Sequence, residues 1–216
     1  MAASEAECCE PVSAEVVGRL IHARQQAAPK RLVNPGPTAA QLQAYFAAAA
    51  AAPDHGQLSP WRFVIVPSEA RDRLARAFAD ALLQRTPDAL PNAIDDARRK
   101  AYNAPFLALA IARLGGEGQD TVPARERLVS LGAALQNVLL SASADGFGCG
   151  LVSGQSLQSK AVRRLFTVSH DEVAICFMAI GTVNIKKPAR QRSLPERFVT
   201  TLDPSPALGR PGCSTA

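Results

Sequence analysis

Residues 52–63 read Ala52-Pro53-Asp54-His55-Gly56-Gln57-Leu58-Ser59-Pro60-Trp61-Arg62-Phe63. Pro53 cannot continue the alanine-rich helix that precedes it, because it lacks an amide proton and crowds the preceding turn. Beyond Pro60 the run Arg62–Val66 (RFVIV) is β-branched and largely apolar, the composition of a short strand. The stretch is therefore a helix stop, a polar loop carrying one histidine, and a strand start. Asp54 reads as a cap or turn residue, and Trp61, the only tryptophan, as a core anchor at the head of the strand.

Upstream, Ser13 is placed to cap a helix with Val16, Val17, Leu20 and Ile21 at helical spacing. Pro29, Pro35 and Pro37 then break the chain into a loop. Thr38 is a good N-cap for a second helix, with Leu42, Tyr45 and Phe46 along one face. Downstream, Leu74, Phe78, Leu82 and Leu83 mark a third helix, and 86–92 with its two prolines reads as a surface loop. Ala93–Tyr102 is charged and helical, and Phe106–Ala112 (FLALAIA) is a buried strand. The strongest helical signal runs from about Ala124 to Ala144, through Leu128, Leu131, Leu135, Val138, Leu139 and Ala142. Its other face carries Gly132, Ala133, Ala134 and Ser141 instead of charges, so it is expected to be buried on more than one side, against the core and a partner subunit. Gly146 and Gly148 end it, consistent with a left-handed C-cap, and Asp145 is read as a turn residue. Phe147–Ser153 is a glycine-punctuated strand or loop, Lys160–Phe166 a helix, and Val173–Gly181 (VAICFMAIG) the strongest strand. Strands separated by helices, without a phosphate-binding strand–loop–helix unit, point to an α+β layer structure. The expected division is a disordered lead at 1–12, one domain at 13–200 and a C-terminal tail at 201–216.

The 216 residues are 47% hydrophobic and 20% charged, ample for a buried core. No run of eighteen apolar residues lacks a charge, so no membrane span is expected. The MAASEAECCEP opening lacks a basic flank before an apolar region and does not read as a secretory signal. Five cysteines, at 8, 9, 149, 176 and 213, show no metal-ligand spacing, and the three histidines do not complete one. No metal site is expected, and reduced thiols fit a cytoplasmic protein best. The net charge of +5 is spread along the chain, and the 5% of aromatic residues do not interleave with a basic run. Nucleic-acid binding is not expected; attraction of anionic small molecules is.

GxGxxG, GxxxxGK[ST], GxSxG and HExxH are all absent. The glycine-rich Gly146-Phe147-Gly148-Cys149-Gly150 follows a helix instead of opening one, so it lacks the donor-rich helix N-terminus that holds a phosphate.

Three segments together carry a resemblance. Leu20-Ile21-His22-Ala23-Arg24-Gln25-Gln26 resembles the N-terminal signature of FMN-dependent nitroreductases, a helix ending in Arg followed by a polar pair. Residues 52–63 are similar to that family's Ala-Pro-Ser/Asp…Pro-Trp-X-Phe stretch. Asp145-Gly146-Phe147-Gly148, leading into Leu151-Val152-Ser153-Gly154, resembles its Gly-X-Gly strand beside the flavin. The segments stand in family order at family-like separations and cover roughly residues 13–200, pointing to the compact branch of the family.

The resemblance implies a central, mainly antiparallel sheet flanked by helices, in an intertwined homodimer whose flavin sites lie at the subunit interface. It implies that Arg24, Gln25 and Gln26 line the FMN site, that His55 reaches the flavin of the other subunit, and that Leu151, Val152 and Ser153 run along the ring. A guanidinium fork suits a phosphate or the flavin edge, and a neutral imidazole can donate to a flavin or phosphate oxygen. The chain departs from the pattern at Gln25, where a second basic residue is common, and at Gln26, where serine or threonine is usual. Lys30, Arg31, Lys187 or Arg190 can supply the missing charge. The implied reaction is ping-pong transfer of hydride from NAD(P)H through FMN to a small electron-poor acceptor, a nitroaromatic or a quinone, with no essential side-chain acid or base and so no catalytic residue. Two alternatives keep the fold: a flavin carrier or sensor without turnover, and a reductive dehalogenase or enone reductase, for which the short loop at 86–92 leaves little room for a lid.

Overall fold

The computed structural model describes residues 12–115, 122–185, 188 and 191–202. Its chain divides into two units, 1–186 and 187–216. The first carries six helices among the described residues: α1 (Ala14–Ala23), α2 (Ala39–Ala50), α3 (Arg71–Arg85), α4 (Pro91–Arg99), α5 (Ala124–Ala144) and α6 (Lys160–Leu165). Five strands join them: β1 (Leu32–Val33), β2 (Trp61–Ile65), β3 (Phe106–Arg113), β4 (Gly148–Val152) and β5 (Glu172–Val183). Every ladder between these strands is antiparallel. The order is β1-β5-β3-β2, and β4 also pairs with β5. The described part of the second unit holds one 3₁₀ turn, Pro195–Arg197, closed by Phe198 N–H donating to the Pro195 carbonyl at 3.0 Å.

Alternation along β3 explains the layers. Leu107, Leu109 and Ile111 point to one face, where they meet Leu74 and Phe78 of α3 and Val162 of α6. Phe106, Ala108, Ala110 and Ala112 point to the other, against Tyr45 of α2 and Leu131, Leu135 and Val138 of α5. From Leu107 to Ala112 the period of two sends bulky side chains one way and alanines the other. The small side chains let the longest helix lie close to the sheet. The sheet is thus covered on both faces, which is why β3 reads as a continuous apolar run.

The helix starts follow from their caps. The Ser13 hydroxyl accepts the Val16 N–H at 3.3 Å, and Thr38 forms a reciprocal capping box with Gln41. α5 ends in a Schellman turn: Phe147 N–H reaches the Ala142 carbonyl at 2.9 Å and Gly146 N–H the Ser143 carbonyl at 3.1 Å. Gly146 sits at φ 83°, where any other residue is strained.

Several boundaries differ from the sequence expectation. α4 begins at Pro91, inside the supposed loop, because proline is favoured in a helix's first turn; the connection shrinks to 86–90. The helical run ends at Arg99 and passes into a 3₁₀ turn, Lys100–Tyr102. β5 is longer than Val173–Gly181 at both ends, and β1 was not expected. Two residues are too few to show periodicity; β1 exists because the end of β5 offers it a partner. In the single chain α5 buries one face, from Arg127 through Ala142, and leaves Leu128 and Val129 exposed.

Candidate flavin site

β4 builds the candidate site. One side of β4 pairs with β5. Against the other lies the short segment after α1. Ala27 N–H donates to the Cys149 carbonyl at 2.8 Å, and Gln26 bridges Cys149 in parallel. The Gln26 side-chain amide then continues the ladder as a backbone would: its Nε2–H donates to the Leu151 carbonyl at 2.7 Å, and its Oε1 accepts Leu151 N–H at 3.4 Å. The approach is so close that a Cβ on Gly150 would stand 2.1 Å from the Ala27 carbonyl oxygen. Glycine is required there because another backbone occupies the space.

The far end of β4 is fixed by a β-bulge. Ala110 of β3 faces Cys176 and Ile111 faces Ala174, so Ile175 is the extra residue on β5. A bulge leaves peptide groups outside the ladder, and here side chains from the segment after β4 take them. Ser153 Oγ donates to the Ile175 carbonyl at 2.8 Å, and Gln158 Nε2 donates to the Ala174 carbonyl at 3.0 Å.

Of the residues singled out from sequence, the structure joins Gln26 to Leu151 on the outer side of β4, while Ser153, past the exposed Val152, turns its hydroxyl to β5. Arg24 is the C-cap residue of α1, half-buried. It lies near enough to Cys149 to favour the thiolate electrostatically, although burial dominates and pushes that thiol up. Gln25 is exposed beside it. Lys30 and Arg31 sit in the next turn, Pro29–Arg31; Lys187 and Arg190 lie outside the described residues. The edge thus offers a guanidinium, free and engaged amides, and an apolar strand surface. That set matches what FMN presents, an anion, a hydrogen-bonding ring edge and an apolar ring face.

His55 is placed elsewhere, in the loop between α2 and β2. Its Nδ1 is 2.8 Å from Glu126 Oε2 in the first turn of α5. Neighbouring Asp54 accepts Ser59 N–H at 2.6 Å, so it closes the loop, as read from sequence. Gln57 and Ser59 have φ of 51° and 44°, a costly conformation for non-glycine residues. Trp61 heads β2, half-buried against the α5-side core. Asp145 does more than turn the chain: its Oδ2 accepts the Tyr45 hydroxyl at 2.5 Å and the Gln41 amide at 3.0 Å. That cluster ties α2 to the turn that feeds β4.

Among the described residues no helix is long and apolar enough to cross a membrane. The Nitroreductase family model matches residues 23–182. The "Putative NAD(P)H nitroreductase YdjA" of Escherichia coli (strain K12) is 32% identical over 156 residues, 72% of this chain and 83% of that protein. A nitroreductase-like family protein from Bacillus cereus superposes with a TM-score of 0.72 at 16% identity, over 87% of this chain and 96% of that one. The FMN and NADPH-dependent nitroreductase NfnB derived from sphigopyxis sp. strain HMH superposes with a TM-score of 0.66 at 16% identity, over 86% and 98%. With the family model spanning α1's end to β5 and a relative at this identity, the chain belongs to the nitroreductase family of oxidoreductases.

Proposed function

We propose that the protein is a homodimeric flavoenzyme that takes hydride from NAD(P)H and delivers it to a small electron-poor acceptor, a nitroaromatic or a quinone, in ping-pong order. The observation that carries this reading is the junction of the α1 exit with β4, where the Gln26 side chain bonds both backbone groups of Leu151 and Arg24 lies near Cys149. Bound FMN would supply the hydride-accepting and hydride-donating chemistry there. Arg24 holds anionic oxygen with charge-assisted donors, helped by Lys30 or Arg31 from the next turn. Gln25 contributes amide donors. Gln26 keeps β4 and the α1 exit in register and so fixes where Arg24 stands. Leu151 and Val152 present apolar surface to a ring and exclude water from it.

The dimer is supported by α1. It is amphipathic, yet none of its residues is buried, and Val16, Val17 and Ile21 are 44–47% exposed. Leu128 and Val129 of α5, the helix α1 packs near, are exposed as well. Apolar patches of this kind mark interfaces, and a two-fold pairing of like patches is the common closure.

The test is the visible absorbance of the purified protein, loaded with FMN, before and after anaerobic NADPH. Flavin bands that bleach and return on adding a quinone support the reductase. Bands that do not bleach favour a carrier without turnover, and a protein that refuses FMN overturns the reading.

A further inference from the structure

We propose that Glu126 is a positioning residue for His55. By binding Nδ1–H it turns the ring so that Nε2 faces outward as a hydrogen-bond acceptor when the imidazole is neutral. The inference rests on the reading that the His55 loop borders a flavin site, and it specifies which flavin chemistry His55 can meet.

An ionised carboxylate only accepts hydrogen bonds. At 2.8 Å from Glu126 Oε2, Nδ1 must therefore carry the proton. A neutral imidazole has a single N–H, so Nε2 is left with a lone pair. Outward donation from Nε2 is available only to the protonated ring. Neutral His55 is thus matched to a hydroxyl or ring N–H of a bound molecule. It is not matched to a phosphate or carbonyl oxygen, which is the opposite of what an unpartnered histidine suggests.

Both partners are held in place. Glu126 occupies the first turn of α5, where a negative charge is favoured by the helix dipole, and α5 is anchored by its buried face. His55 sits in a loop whose Gln57 and Ser59 adopt left-handed backbone and whose Asp54 is tied to Ser59 N–H. Backbone strain of this kind persists only where surroundings enforce it. With side chains 68% and 43% exposed, the pair contributes little to stability by itself. Its effect is orientation and tautomer, as for carboxylates that fix the donor nitrogen of a functional histidine.

The test is ¹⁵N NMR of the full-length protein with labelled histidine, without flavin, at a pH about 1.5 units above the ordinary histidine pKa near 6.5. The His55 ring is assigned by its loss in His55→Gln. The expected result is the Nδ1–H tautomer in the wild type, retained in Glu126→Gln, whose amide oxygen still accepts, and lost in Glu126→Ala. An Nε2–H ring in the wild type, or a ring unchanged by Glu126→Ala, would overturn the proposal. In parallel, FMN affinity should fall about tenfold in His55→Gln and in Glu126→Ala, with the double variant no worse than either, as expected of residues acting as one unit. Additive losses would overturn action through His55. A protein that binds no FMN would overturn the flavin reading, while the tautomer would still decide the role of Glu126.

Discussion

Glu172 stands at the head of β5 with both carboxylate oxygens on the Arg62 guanidinium, each at 2.8 Å. Arg62 also donates to the Phe166 and Thr167 carbonyls, and Ser169 N–H reaches the same carboxylate. Glu172 is buried, and its hydrogen bonds with Arg62 hold its carboxyl down at about 2. A carboxyl depressed on folding stabilises fully above its unfolded value, about 4.3, and that contribution is lost as pH falls toward 2. Urea unfolding along a pH series should therefore show stability declining between about pH 5 and pH 2. Glu172→Gln should flatten that decline and lower stability near neutrality by about 3 kcal/mol, because the Arg62 charge is left uncompensated. An unchanged slope would assign the acid sensitivity to other groups. This pair was not legible in the sequence: 110 residues separate its members, and Arg62 reads there as one polar position in an apolar strand.

At the scale of elements, β4 is where legibility divides. The local signals were readable: Ser13 and Thr38 announced their helices, Gly146 its turn, and β3 its burial, since each rests on spacing within a few residues. The site's scaffold rests on contacts across the chain. Gln26 meets Leu151 across 125 residues, and Ser153 meets a carbonyl freed by a bulge at Ile175 that leaves no mark in composition. The family resemblance brought Arg24, Gln26 and Leu151–Ser153 together; periodicity alone did not. Gly150 makes the dependence testable. Gly150→Ala puts a methyl where the Ala27 carbonyl lies and should cost about 1–3 kcal/mol. It should also lower the fraction of protein purified with flavin, because the α1 exit must move off β4. Calorimetry with and without FMN, together with flavin content, measures both effects. Full flavin content at normal stability would mean the segment yields freely.

For the whole molecule, the apolar face of α1 is the feature a single chain does not use. Ile21→Glu should leave the fold of the protomer intact, since α1 has no buried residue. Sedimentation should then report a shift toward monomer at micromolar concentration, with weaker flavin retention if the site is shared between subunits. A dimer that survives would place the interface elsewhere. The sheet itself also has a kinetic consequence. Phe177–Ile180 are flanked by β3 on one side and β4 on the other, so their amides can exchange with deuterated solvent only when the domain opens as a whole. The outer edge of β4 is held by the two bonds of one exposed glutamine side chain and a single backbone bond from Ala27. It can breathe without disturbing the strands behind it. Protection should therefore fall by orders of magnitude across one strand spacing, leaving the candidate edge free to open on the timescale of local fluctuations while the scaffold beneath keeps its shape.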